Sequence, residues 1–128
     1  GDGLADINLN TLKNFHKKNK NYTTLTAINP RSKYGQIQIK GNKVLNFNQK
    51  PKLLNNYVNG GFFICEPKVL KMIKSEDEQW EDILVKLTKI NKLGVYIHKG
   101  NWSSMDTLRD KETLNKLWEE EKAFWKIW

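Results

Sequence analysis

Three observations predict an α/β fold with a mixed sheet. Segments of β-forming residues alternate with segments whose apolar residues recur at helical spacing. Gly41-Asn42 separates two runs, 36–40 and 43–48, as a two-residue hairpin turn does. Five Trp, four Tyr and five Phe in 128 residues supply enough bulky apolar groups for one modest core, which disordered chains lack. The chain is expected to form a single partial domain over residues 1–128, with flanking helices and one β-hairpin.

The elements follow in order. Gly1-Asp2-Gly3 has the composition of a turn at a strand end, yet no strand precedes it. This predicts that the chain is a piece of something longer. Asn8 or Asn10 can cap a helix to about Asn19, with Leu9, Leu12 and Phe15 on one face. Residues 22–28 form a β-rich strand, and 30–35 a loop. The hairpin 36–48 follows, then a loop around Lys50-Pro51-Lys52. Residues 58–64 read as a strand interrupted by Gly60-Gly61. Pro67 suits the first position of a short helix, with Val69, Leu70 and Ile73 inward. Residues 80–91 give a second helix with Ile83, Leu84, Leu87 and Ile90 on one stripe. Residues 94–98 form a strand, and 107 to about 121 the last helix. The aromatic tail 123–128 is either core or a subunit contact.

The formal net charge is +8. A basic balance favours anionic partners. Only Arg31 and Arg109 among 22 cationic residues are Arg. Arg is the usual choice for bidentate phosphate and guanine recognition, so its scarcity points away from nucleic acid. A basic nucleic-acid-binding module is the alternative outside enzymology. No apolar run approaches the ~20 residues of a membrane span. Cys65 has no partner within the chain, and residues 1–7 lack a signal-peptide pattern. A cytoplasmic protein is the expectation.

Several residues could carry chemistry. Asp2 and Asp106 stand at corners beside strand and helix ends, where α/β sheets bind ligands. Mg²⁺ takes one or two carboxylates together with substrate phosphates. From the residues alone, Asp106 is well placed to be a plain N-cap of the last helix, and Asp2 a plain turn residue. Lys50 precedes a proline, which restrains its backbone to extended geometry; it either meets a phosphate or stays at the surface. Gln49 can hydrogen-bond hydroxyl groups or solvent. Asn59 and Gly60 mark either a ligand lying against the strand or a plain bend. His16, His98 and Cys65 have no metal-ligand spacing. His16 is expected to be exposed, His98 to order the corner near Trp102, and Cys65 to be buried.

The segments G-D-G-L-A-D-I (1–7), T-L-T-A (24–27), K-P-K (50–52), N-G-G-F-F (59–63), W-S-S-M-D-T-L-R-D-K (102–111) and A-F-W-K-I-W (123–128) resemble the C-terminal half of the glucose-1-phosphate cytidylyltransferases, a branch of the sugar nucleotidyltransferases. The resemblance spans essentially the whole chain. It implies a portion of a nucleotidyltransferase-type mixed sheet, with the N-terminal nucleotide-binding half and its glycine-rich loop missing. It implies CTP and α-D-glucose 1-phosphate as substrates, CDP-glucose and pyrophosphate as products, and a place in dideoxysugar synthesis for surface polysaccharides such as lipopolysaccharide. Another sugar-1-phosphate nucleotidyltransferase is the alternative within the class. By resemblance, Asp2 and Asp106 would hold Mg²⁺, and Lys50 would neutralise the sugar phosphate. Asn59 and Gly60 would line the glucose pocket, and Trp102 would wall it. Gln49 stands where the family usually carries Glu. The chain alone is expected to be inactive, and the complete enzyme to be a homo-oligomer.

Overall fold

A computed structural model describes residues 3–30, 36–48 and 57–128. The order is β1 (Leu4–Ala5), α1 (Leu9–Asn19), β2 (Thr23–Ile28), β3 (Gln36–Lys40), β4 (Lys43–Asn48) and β5 (Val58–Cys65). A 3₁₀ turn (Pro67–Met72), α2 (Trp80–Lys89), β6 (Leu93–His98), β7 (Trp102–Ser103) and α3 (Leu108–Glu119) complete it. The predicted α/β class and hairpin are both present. The loop expected at 30–35 lies, beyond Pro30, outside the described residues, as does the loop around Lys50-Pro51-Lys52.

The central sheet has the order β5-β2-β6 and is mixed. Strand β2 runs antiparallel to β5 and parallel to β6, with Leu25 opposite both Phe63 and Val95. β3 and β4 form a separate antiparallel pair, and β1 with β7 another. The register between β2 and β5 slips between Leu25 and Ala27, where Ala27 faces Asn59. This bulge holds Gly60 and Gly61, and Gly61 has φ +81°. A Cβ at Gly60 would come within 3.0 Å of Ile28 Cγ2 and 3.1 Å of the Thr26 carbonyl. The bulge therefore needs glycine there, because the backbones approach too closely for a side chain.

Two apolar clusters hold the layers together. Ala5, Ile7 and Leu12 are buried together with half-buried Phe62, Ile64, Tyr96 and Trp102 around them. Val69, Ile83 and Leu87 form the other, flanked by Tyr22, Met72, Trp80 and Leu93. The α1 face differs from the expected one. Asn8 does cap the helix, its side chain accepting from Thr11 N at 3.0 Å. The buried residues, however, are Leu12 and His16, while Leu9 is 59% exposed. Leu9 sits in the first turn of the helix. Leu70, Ile73 and Ile90 are likewise exposed. The 3₁₀ turn has three residues per turn, so Val69 and Met72 share the inward face and Leu70 does not, and Ile90 falls beyond the last turn of α2.

His16 is buried, which corrects its expected exposure. Its Nδ1 lies 2.8 Å from Thr24 Oγ1 and its Nε2 3.2 Å from Glu66 Oε1. The imidazole thus joins α1 to β2 and to the end of β5. His16→Leu leaves the Thr24 hydroxyl unpaired in the core, which is expected to cost about 1–3 kcal/mol. The measurement is a lower urea midpoint at unchanged slope. Cys65, expected to be buried, is exposed, because β5 ends there at the sheet rim.

Candidate functional site

The parallel strands β2 and β6 end side by side at Ile28 and His98. Open α/β sheets bind ligands beyond such carboxyl ends. A cleft of about 680 Å³ lies there, lined by Ile28, Asn29, Tyr57, His98, Trp102 and Asp110 among others. Its walls mix polar and apolar groups, as small-molecule sites do.

Trp102 is the hub of this corner. Its Nε1 donates to the Gly60 carbonyl at 2.9 Å. A Cβ at Gly3 would come within 3.0 Å of that same nitrogen and 3.3 Å of the Gly60 carbonyl. Three segments far apart in sequence therefore meet: Gly3 of G-D-G, Gly60 of N-G-G, and Trp102 of W-S-S-M-D. The β1–β7 bridge fixes this meeting, with Leu4 opposite Ser103 and Ala5 opposite Trp102. The corner is reinforced from Asp6. Its Oδ1 accepts from Asn101 N and its Oδ2 from Asn101 Nδ2, both at 2.8 Å. Asp6 N donates back to the Asn101 carbonyl at 3.2 Å. His98 Nε2 lies 2.8 Å from Asp6 Oδ1 and 3.2 Å from the Asn101 carbonyl. His98 orders the Trp102 corner, as the sequence predicts.

Of the predicted site residues, Gly60 and Trp102 are in direct contact. Asn59 lies opposite Ala27 and lines a neighbouring, more apolar pocket with Leu25 and Val95. Its Oδ1 accepts from Gly61 N at 2.9 Å, so it braces the bulge. Asp106 is exposed and does not cap α3. Thr107 is the cap: its Oγ1 accepts from Asp110 N, and Asp110 Oδ2 accepts from Thr107 N, both at 3.1 Å. This reciprocal capping box satisfies the helix start and leaves the Asp106 carboxylate free of that duty. Among the described residues Asp106 makes no ion pair. Asp2, Gln49 and Lys50 lie outside the described residues. Sequence reasoning missed Asp6 and Asn101. Asp6 stands in the quoted G-D-G-L-A-D-I motif, but nothing local signals a partner 95 positions away.

Of the aromatic tail, Trp125, Ile127 and Trp128 line a separate apolar hollow with Leu4, Ile7, Leu9 and Phe62. The tail thus folds back beside β1, although Trp128 stays 82% exposed.

The nucleotidyl transferase family matches residues 1–122. The chain belongs to that family. It is 40% identical to the glucose-1-phosphate cytidylyltransferase of Salmonella typhimurium across its whole length, covering 50% of that protein. It is 35% identical to a Bacillus subtilis protein provisionally given the same name, covering 51% of it. A solved Bacillus anthracis chain, provisionally named a glucose-1-phosphate thymidylyltransferase, shares the fold with a TM-score of 0.63 at 18% identity, over 91% of this chain and 51% of that one. The chain thus spans about half the length of the curated relatives it matches. The match falls on the relatives' N-terminal half, not the C-terminal half that the motif resemblance leads one to expect. No helix among the described residues is long and apolar enough to cross a membrane.

Proposed function

We propose that this chain supplies the sugar-phosphate and metal-binding part of a glucose-1-phosphate cytidylyltransferase, which converts CTP and α-D-glucose 1-phosphate into CDP-glucose and pyrophosphate. The observation that carries this reading is the contact of Gly3, Gly60 and Trp102 at the carboxyl end of β2 and β6. It gathers three of the motifs that resemble the cytidylyl branch into one corner beside a cleft.

The donor set suits Mg²⁺. Asp106 offers an exposed hard oxygen ligand without an ion pair among the described residues, and one or two such carboxylates plus phosphates are what this ion takes. By resemblance, Asp2 is the second. Asp2 and Asp106 would hold the ion. When bound, it supplies charge neutralisation between the sugar phosphate and the nucleotide phosphates.

In this reading the Lys50 ammonium pairs with the sugar phosphate and holds it for in-line attack. The sugar phosphate oxygen forms a bond to the α-phosphorus of CTP, and the α–β phosphoanhydride bond breaks to release pyrophosphate. Gln49 hydrogen-bonds the glucose hydroxyls. A neutral Gln makes bonds roughly half as strong as an ionised Glu there. The Trp102 indole, pinned through Nε1, walls the sugar. Positioning and charge neutralisation are the main contributions available to the protein in such transfers. The cytoplasm is the proposed location, and homo-oligomerisation is proposed for the complete enzyme.

The test is reconstitution. The chain is mixed with the half of the Salmonella typhimurium relative that it does not align with, and pyrophosphate release is followed with Mg²⁺ and glucose 1-phosphate. Turnover is expected with CTP and only from the mixture. Equal turnover with UTP or dTTP would overturn cytidylyl specificity, and no turnover with any nucleotide would overturn the reading.

A further inference from the structure

We infer that the chain pairs with a second copy of itself through the surface where the first turn of α1 meets the aromatic tail. This names the face for the homo-oligomerisation proposed above and does not depend on the reaction.

The centre of this surface is apolar. Trp128 is 82% exposed, Leu9 59%, Ile127 55% and Trp118 51%. Leu9, Ile127 and Trp128 border one hollow. Trp118 joins them through Lys126, whose ammonium lies 5.2 Å from its ring centre. A Trp side chain alone offers about 150–250 Å² for burial, and apolar patches of more than a few hundred Å² mark interaction sites. The charges around the patch decide which partner fits. Through Leu9 the patch runs into exposed Lys13, Lys17 and Lys20, which follow Leu9 at helical spacing and share its side of α1 and the cap. Through the tail it runs back along the chain to Glu119, Glu120 and Glu121, all exposed. Among the described residues these three lysines, Glu119 and Glu121 make no ion pair, while Lys116 and Lys122 hold Glu120. The surface thus has a basic flank, an apolar centre and an acidic flank, and the two flanks do not neutralise each other. Nucleic acid would match the basic flank alone. A second copy matches all three, because a twofold axis through the apolar centre lays the lysines of each copy against the glutamates of the other. An apolar core within a charged rim is the usual build of such contacts, and the opposed charges fix their register.

Sedimentation velocity of the chain tests this. A monomer–dimer equilibrium is expected, and added salt should weaken it by screening the flanks. Trp128→Ser changes one exposed side chain and should raise the dissociation constant by about tenfold or more at an unchanged melting temperature. The decisive pair reverses the flanks in separate proteins: Lys13→Glu with Lys17→Glu in one, and Glu119→Lys with Glu121→Lys in the other. Each alone sets like charges against each other and should lose the dimer. An equimolar mixture should regain it, because every flank then meets its opposite on the other protein. Mixing does not repair a misfolded variant, so the rescue reports the contact itself. An unaltered chain that stays monomeric at ~100 µM overturns the inference. So does a dimer that survives Trp128→Ser or either reversal, a mixture that stays monomeric, or an open-ended series of larger species. A chain that remains monomeric until the unaligned half of the Salmonella typhimurium relative is added also overturns it, and gives the patch to that half instead.

Discussion

Asp106→Ala is expected to cut pyrophosphate release in the reconstituted enzyme by ~100-fold or more while the melting temperature of the chain hardly moves. The two halves of this expectation come from different facts. A bound divalent ion is worth several kcal/mol of charge stabilisation in the transition state, and each 1.36 kcal/mol is about tenfold in rate. Losing one of two proposed carboxylate ligands forfeits much of that. For stability, Asp106 is exposed and the start of α3 is capped by Thr107 and Asp110 without it. Surface substitutions away from caps and networks stay within about 0.5 kcal/mol. Thr107→Ala is the contrasting control. It removes the capping hydroxyl and should destabilise by about 1 kcal/mol with little effect on turnover. The pair of melts and pyrophosphate assays separates a ligand from a cap, the two roles that the sequence left open for Asp106. Wild-type turnover in Asp106→Ala would remove this residue from the mechanism.

Local chemistry explains what the sequence revealed. Gly41-Asn42 predicts the hairpin because turn residues act within a few positions. The Asn8 cap and the β2 strand are local in the same way. Gly60-Gly61 signalled a break in β5, and the break is a bulge that admits no side chain at Gly60. Two failures are non-local, and one, at Asp106, is local. His16 reads as a surface residue because periodicity does not show that Thr24 and Glu66 wait beneath it. Asp106 reads as a cap because it precedes a helix, yet the better box, Thr-x-x-Asp, begins one residue later. The Asp6–Asn101 clasp joins residues 95 positions apart, and no window of sequence contains both. At the site, motif resemblance could name Gly60 and Trp102 separately, whereas only the fold puts one against the other.

Leu12→Ala should be the most destabilising single change in the β1–α1 layer, and Leu9→Ala nearly silent, although apolar periodicity ranks the two alike. Leu12 has 0% exposure and Leu9 59%. Truncating a fully buried Leu removes its transfer free energy and leaves a cavity, for about 2–5 kcal/mol. Domains hold only about 5–15 kcal/mol in total, so the melting temperature should drop by on the order of 10 °C. An exposed Leu forfeits almost none of this. The loss also reaches the site, because Leu12 packs in the cluster that supports Phe62, Tyr96 and Trp102. A cavity in that cluster loosens the Trp102 wall while its Nε1 bond to Gly60 remains. Near-ultraviolet circular dichroism should therefore lose intensity in folded Leu12→Ala but not in Leu9→Ala. Equal melting temperatures for the two variants would mean that α1 does not lie on the sheet with Leu12 inward, and the corner built on β1 and β7 would lose its foundation.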